Sequence, residues 1–436
     1  MALTGRTALA AALASLAVGL LLPSWTGLLV VQLALLVAIL IDLLFAAPVR
    51  TLRFTRSGET SVRLGECAEV SLLVANPSGR RLRGVLRDAW EPSAWRPGTE
   101  PAASRHPLDV PARERRRLTT TLCPTRRGDR TAQRVTVRSL GPLGLAARQG
   151  SHRVPWTVRV LPAFESRRHL PAKLARLREL DGRTSVLTRG EGTEFDSLRE
   201  YVPGDDTRSI DWRATARQST VAVRTWRPER DRQIVVALDT GRASAGRVGD
   251  VPRLDAAMDA ALLLSALATR AGDRVDLLAY DRRPRTTVRG RTASQALPAF
   301  VEAMAALEPA LLESDHQVMG SVVQRLARRG SLLVLLTGLE TAAVEEGLLP
   351  VLPLLTARHT VLVAAVGDPR IEEMAAARGG PREVYEAAAA ERTRAERRQI
   401  ADRLRESGVL VVDAPPQRLP PMLADAYLAL KAAGRL

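Results

Sequence analysis

The chain has 436 residues, 46% of them hydrophobic and only 3% aromatic, with a formal net charge of +17. That length excludes a single ordinary domain and that apolar content excludes a disordered chain. The basic balance points to anionic partners, but 62 of the 64 basic residues are arginine and no basic run is interleaved with aromatics, so a nucleic-acid platform is not expected.

Two apolar runs open the chain, Ala8–Leu22 and Leu28–Phe45, separated by the break Pro23-Ser24-Trp25-Thr26-Gly27. Each approaches the roughly 20 residues that cross a bilayer, and Trp25 suits an interface. The reading is a transmembrane helical hairpin over residues 1–48. Arg6 precedes it and Arg50, Arg53 and Arg56 follow, which by the positive-inside tendency puts both ends and everything after residue 50 in the cytoplasm. A cleaved signal peptide ending near residue 25 is the competing reading. Asp42 has no partner in the first run and reads as an interfacial or snorkelling carboxylate.

Residues 49–164 hold short β-branched runs between turn signals such as Asn76-Pro77-Ser78-Gly79 and Gly141-Pro142-Leu143-Gly144, the pattern of an all-β sandwich. Cys67 and Cys123 fall in this region without zinc or redox spacing. Buried free thiols are the expectation, a bridge being sensible only in an oxidising compartment. Residues 165–220 comprise a linker helix and a charged segment. Residues 221–436 alternate strand and helix, beginning with Ile234–Asp239 and including the continuous apolar runs Ser331–Thr337 and Thr360–Val366. This implies a doubly wound, Rossmann-like parallel sheet whose ligands gather at strand carboxyl ends, where Asp239, Asp281 and Thr337 lie.

The most charged turn is Arg199–Arg217. A structural reading makes Pro203-Gly204 a turn, lets Asp205 or Asp206 cap a short helix containing Ile210, Trp212 and Ala216, and buries Trp212 against the sheet, with arginines pairing Asp205, Asp206 and Asp211. A second reading makes it an exposed docking loop. Catalysis would require a nucleophile, base or metal, and the nearest histidine is His169.

The run Tyr201-Val-Pro-Gly-Asp-Asp-Thr-Arg-Ser-Ile-Asp-Trp212, ahead of a strand ending in aspartate, resembles the hallmark of the domain-of-unknown-function-58 family of bacterial membrane proteins. Gly141–Leu145 is similar to that family's Pro-Leu-Gly-Leu element. The resemblance implies a von Willebrand factor A-like α/β domain and a role beside MoxR-type AAA+ ATPases in protein maturation or envelope stress. The partner-binding or structural residues it marks are Arg199, Tyr201, Pro203, Gly204, Asp205, Asp206, Arg208, Asp211, Trp212 and Arg213. The A-type metal motif Asp-x-Ser-x-Ser survives here as Asp239 alone, with Gly241 and Ala243 at the serine positions. Gly338 follows Thr337 where an aspartate is expected. Asp239, Ser244 and Thr337 therefore read as a vestigial (degenerate) metal site without cofactor or metal. The expected function is a non-enzymatic inner-membrane adaptor that binds proteins through cytoplasmic domains; the chain has no P-loop of its own. Two alternatives stand beside it. One is a metal-dependent binding or hydrolytic protein using Asp239 with Asp205 or Asp206. The other is nucleic-acid binding through the arginine excess, which would show steep salt dependence.

Overall fold

The structure is a computed structural model that describes residues 1–21, 24–99, 103–187, 194–202, 207–218, 220–227, 232–290 and 293–435. It divides into two compact units, Met1–Leu161 and Pro162–Leu436.

The first unit begins with the short strand β1 (Ala2–Leu3) and the apolar helices α1 (Gly5–Leu21) and α2 (Trp25–Phe45). Ser24 caps α2 by accepting the Gly27 N–H at 3.1 Å. Only α2 is long and apolar enough to cross a membrane among the described residues; α1 is shorter, so the expected two-helix span rests on one qualifying helix. The N-terminal end of α1 and the C-terminal end of α2 meet one turn, 141–146. Thr4 Oγ1 donates to the Gly144 carbonyl at 2.7 Å, and Thr7 Oγ1 donates to Leu145 O. Asp42 departs from the sequence reading. It is fully buried, and its carboxylate accepts N–H groups from Leu143 (2.7 Å), Leu145 (2.5 Å) and Ala146 (2.9 Å). A Cβ at Gly141 would lie 2.5 Å from this carboxylate, so only glycine admits the approach.

Two sheets follow. Strands β2 (Arg53–Gly58), β4 (Ala68–Ala75) and β7 (Arg115–Leu122) form one, in the order β2-β4-β7. The other has the order β1-β9-β8-β5-β6, built from β5 (Leu82–Trp90), β6 (Arg105–Val110), β8 (Gly128–Leu140) and β9 (Ala146–Leu161), with β3 (Ser61–Arg63) also on β9. Alternate residues of β4, Ala68, Val70, Leu72 and Val74, turn inward and meet Leu86, Val135 and Val158 of the second sheet. Across this core runs an ion pair, Arg56 to Asp88 at 2.8 and 2.5 Å, with both side chains 1% exposed. Arg56 Nε donates to the Val154 carbonyl (2.9 Å) and Trp90 Nε1 donates to Asp88 (2.9 Å), so the pair is saturated. Arg56 thus faces the core and not the membrane surface, leaving Arg50 and Arg53 as the exposed cations after α2. The cysteine expectation is overturned: Cys67 is exposed, Cys123 is half-buried, and the two form a disulfide.

In the second unit, α3 (Leu170–Leu187) is tied by Lys173 to Asp425 at 2.6 Å. Strands β10 (Glu194–Glu200) and β11 (Ala222–Arg227) make an antiparallel pair, and α4 (Trp212–Gln218) lies between them in the chain. The central sheet has the order β16-β15-β12-β17-β18-β19. Its members are β12 (Gln233–Asp239), β15 (Arg274–Tyr280), β16 (Pro284–Arg289), β17 (Leu332–Leu336), β18 (Thr360–Val366) and β19 (Leu410–Ala414). All neighbours are parallel except the edge pair β15–β16. Counted along the chain, this is the doubly wound order 3-2-1-4-5-6, with its switch point between β12 and β17. Every residue of β12 and β17 is buried because helices cover both faces. After β12 come the single turn α5 (Arg242–Ala245), the small hairpin β13 (Arg247–Val248) and β14 (Val251–Pro252), and the largely buried α6 (Arg253–Arg270). The remaining helices are α7 (Ala293–Ala305), α8 (His316–Leu326), α9 (Leu352–Thr356), α10 (Pro369–Ala376), α11 (Pro381–Glu406) and α12 (Leu419–Ala432).

Removing one member of the core ion pair leaves a buried charge unpaired. Asp88→Ala in the full chain should therefore destabilise the first unit by about 3–5 kcal/mol, and Arg56→Met with Asp88→Leu together by less than the sum of the two singles. Urea unfolding followed by tryptophan fluorescence checks this. A loss under about 1 kcal/mol for Asp88→Ala would refute it.

Candidate functional site

The switch point of the sheet is where a ligand would be sought, and Asp239 sits there at 1% exposure. One carboxylate oxygen accepts the Gly241 N–H at 2.7 Å and the Ser314 hydroxyl at 2.5 Å; the other accepts the Thr337 hydroxyl at 2.6 Å. The Ser244 hydroxyl donates to the Asp239 carbonyl at 2.6 Å. Asp239 thereby joins the loops that leave β12 and β17 to the loop that enters α8. The structure brings Asp239, Ser244 and Thr337 together as the sequence suggested, and adds Ser314, which no spacing rule marked.

The other acids near these strand ends are engaged as well. Asp281 is 1% exposed, accepts the Arg283 N–H at 3.1 Å and pairs with Arg285 at 2.5 Å. Asp315 caps α8 through the N–H groups of Gln317 (2.9 Å) and Val318 (3.0 Å). The acid missing after Thr337 has a substitute that the sequence reading did not contain. Glu340 folds back so that its Oε2 lies where a Cβ at Gly338 would be, and Oε1 pairs with Arg253 Nη1 at 2.5 Å. Among the described residues no three His, Cys, Asp or Glu side chains are grouped so as to hold a metal ion. The donors present do not fit a hard divalent cation, which wants an open shell of oxygens.

Two buried groups beside Asp239 are shifted. Burial pushes the Tyr280 phenol well above its ordinary value, and the Asp239 charge adds to the effect. Burial lowers the His316 imidazole against the opposing pull of Asp239 and Asp315. Both Tyr280 Oη and His316 Nδ1 are buried with no hydrogen-bond partner among the described residues.

At the charged segment, Pro203, Gly204, Asp205 and Asp206 lie outside the described residues. Among the described residues, Asp211 caps the helix. Its carboxylate accepts the N–H groups of Arg213 and Ala214 at 3.0 Å each and pairs with Arg224 at 2.8 Å. The Ala214 N–H first, and Arg224 second, hold this carboxyl below its usual range. The backbone clamps the same residue: the Asp211 N–H reaches Ala222 O at 2.8 Å, and the Thr215 hydroxyl links Asp211 O (2.9 Å) to the Ala222 N–H (3.0 Å). Tyr201 is half-buried and its N–H meets Val221 O at 2.8 Å. Arg199 donates to the Glu200 carbonyl at 3.0 Å, while Arg208 and Arg213 are exposed. Trp212 overturns its expected burial. It is 69% exposed, and Val202 (56%) and Val221 (38%) are exposed nearby. Arg224, which the sequence reading passed over, is the arginine that pairs with Asp211.

Asp239→Ala would leave two buried donors and one half-buried donor without an acceptor, so a loss of about 3 kcal/mol in the second unit is expected, with millimolar Mg²⁺ leaving the wild-type melting temperature unchanged. Calorimetry reads both, and a rise in melting temperature with Mg²⁺ that Asp239→Ala abolishes would contradict the site as described. The lowered imidazole of His316 means the unfolded chain holds that proton more tightly. Stabilisation is full above about pH 6.5 and is lost as pH falls toward the folded value. His316→Gln should flatten this acid limb of a melting-temperature profile; an unchanged limb would remove His316 as its source.

Residues 197–407 match the family model described as Protein of unknown function DUF58. Uncharacterized proteins of Mycobacterium tuberculosis and Mycobacterium bovis are 28% identical to this chain over 190 residues, 43% of this chain and 59% of theirs. The chain thus spans about three fifths of the length of these curated relatives. Solved structures similar to it include the conserved hypothetical protein BatB from Bacteroides thetaiotaomicron (14% identity, 45% of this chain and 98% of that one, TM-score 0.29). Another is the SpRpn10 VWA domain (13% identity, 46% and 94%, TM-score 0.28). At these scores neither likeness bears on the fold. The family match takes in the Tyr201–Trp212 segment and the strand ending at Asp239, so residues 197–407 of this chain are similar to the family of unknown function DUF58.

Proposed function

We propose that the chain is a non-enzymatic, membrane-anchored adaptor that binds a protein partner through the Tyr201–Trp212 segment and its β10–β11 support. The observation that carries this is the pairing of a fixed frame with an exposed anchor. Asp211 is held by two N–H groups, an arginine and two backbone bridges, and the next residue, Trp212, is largely in solvent. A rigidly mounted tryptophan with Val202 and Val221 beside it, and the exposed Arg208, Arg213 and Arg217 around it, suits an apolar anchor on an acidic partner segment. The family resemblance favours a MoxR-type AAA+ ATPase as that partner, in protein maturation or envelope stress.

Anchoring falls to α2, with α1 completing a hairpin in the inner membrane. The uncharged turn between them and the exposed cations Arg50 and Arg53 favour the cytoplasmic side for the globular units. The alternative of metal-dependent chemistry at Asp239 finds no support in a carboxylate whose oxygens already serve three donors.

Trp212→Ala in the full chain, purified in mild detergent, should weaken capture of the co-expressed AAA+ ATPase roughly tenfold or more while leaving the melting temperature in place. Asp211→Ala should lower the melting temperature and capture together. Capture that survives Trp212→Ala at wild-type strength would sink the docking role.

A further inference from the structure

Strands β4 and β7 pair antiparallel with Ala68 opposite Leu122, and the next pair outward in that register is Cys67 and Cys123. Their Cα atoms are 4.3 Å apart and the sulfurs are bonded, closing a loop between residues 56 apart in sequence. Register therefore brings the thiols together whether or not the bond is made. The bond is also accessible, since Cys67 is exposed and Cys123 half-buried. It is set against the rim of a packed core: Ala68 and Leu122, one residue inward on each strand, are fully buried beside Trp90 and Trp95. Strand β7 is the edge of its sheet and carries the exposed run Arg115-Arg116-Arg117, so the sulfur bridge fastens an edge strand to its neighbour at the end opposite those charges.

An accessible bridge is the labile kind, and a compartment rich in thiols keeps such a pair reduced. We propose that Cys67 and Cys123 form a reversible thiol switch that is open at rest and bridges under oxidative load, locking β7 onto β4. The proposal rests on the cytoplasmic placement given above. The oxidant is a low-molecular-weight disulfide, RSSR. The thiolate of the exposed Cys67 attacks one of its sulfurs and expels RS⁻, leaving a mixed disulfide on Cys67. The Cys123 thiolate then attacks the Cys67 sulfur, forming the protein disulfide and expelling a second RS⁻. The two protein thiols lose two electrons, RSSR gains them, and the two thiol protons end on two RSH.

Thiol trapping tests this on the wild-type full chain in growing cells, with a polyethylene-glycol maleimide added at acid quench before and after exposure to a disulfide oxidant. The expected result is two adducts per chain at rest and none after oxidation, with resistance of the first unit to limited proteolysis rising in parallel. No adducts in unstressed cells would overturn the switch and show a permanent bridge. Two adducts under both conditions would overturn it as well. Neither result touches capture by Trp212, so failure here is distinct from failure of the docking reading, and no substitution that could impair folding is needed.

Discussion

The carboxylate of Asp239 is the constraint on which the second unit is organised. A parallel sheet brings its strand ends to one edge, and the loops there belong to distant parts of the chain. Asp239 draws three of them to one point through Gly241, Ser314 and Thr337, in a place where an unpaired charge would be costly. The same satisfaction that fixes these loops uses up the oxygens that a ligand would need. Structure and chemistry compete for one side chain, and here structure has it.

The first unit relies on buried carboxylates in the same way. Asp42 holds the 141–146 turn by three N–H groups, and Asp88 holds the two sheets together through Arg56. With an aromatic content of only 3%, these cores consist mainly of Val, Leu and Ala, which pack well but select poorly among registers. Directional polar contacts set in that apolar matrix specify which strand meets which.

Much of the architecture is legible in the sequence because its signals are local. The runs at Ile234–Leu238 and Val361–Val366 are apolar throughout, which is what burial on both faces demands, and turn residues punctuate the sandwich. What escaped reading depends on separation. Asp42 meets partners about a hundred residues away, and Ser314 meets Asp239 across 75. Glu340 replaces a missing acid from a position two residues removed, which a fixed motif cannot register. Trp212 misled because a large apolar residue in a helical pattern usually faces a core; here the helix is a short surface turn held by its cap. The cysteines misled because spacing along the chain carries no information about two strands that meet edge to edge.

The bond between Glu340 and Arg253 has a consequence for how this end of the sheet meets the cell. A soluble ion comes and goes with its concentration, and a surface that depends on one inherits those fluctuations. A guanidinium tethered at the start of α6 has no free concentration and cannot be chelated, diluted or exchanged for a competitor. The charge at these loops is therefore set by the chain itself and not by the supply of a soluble ion.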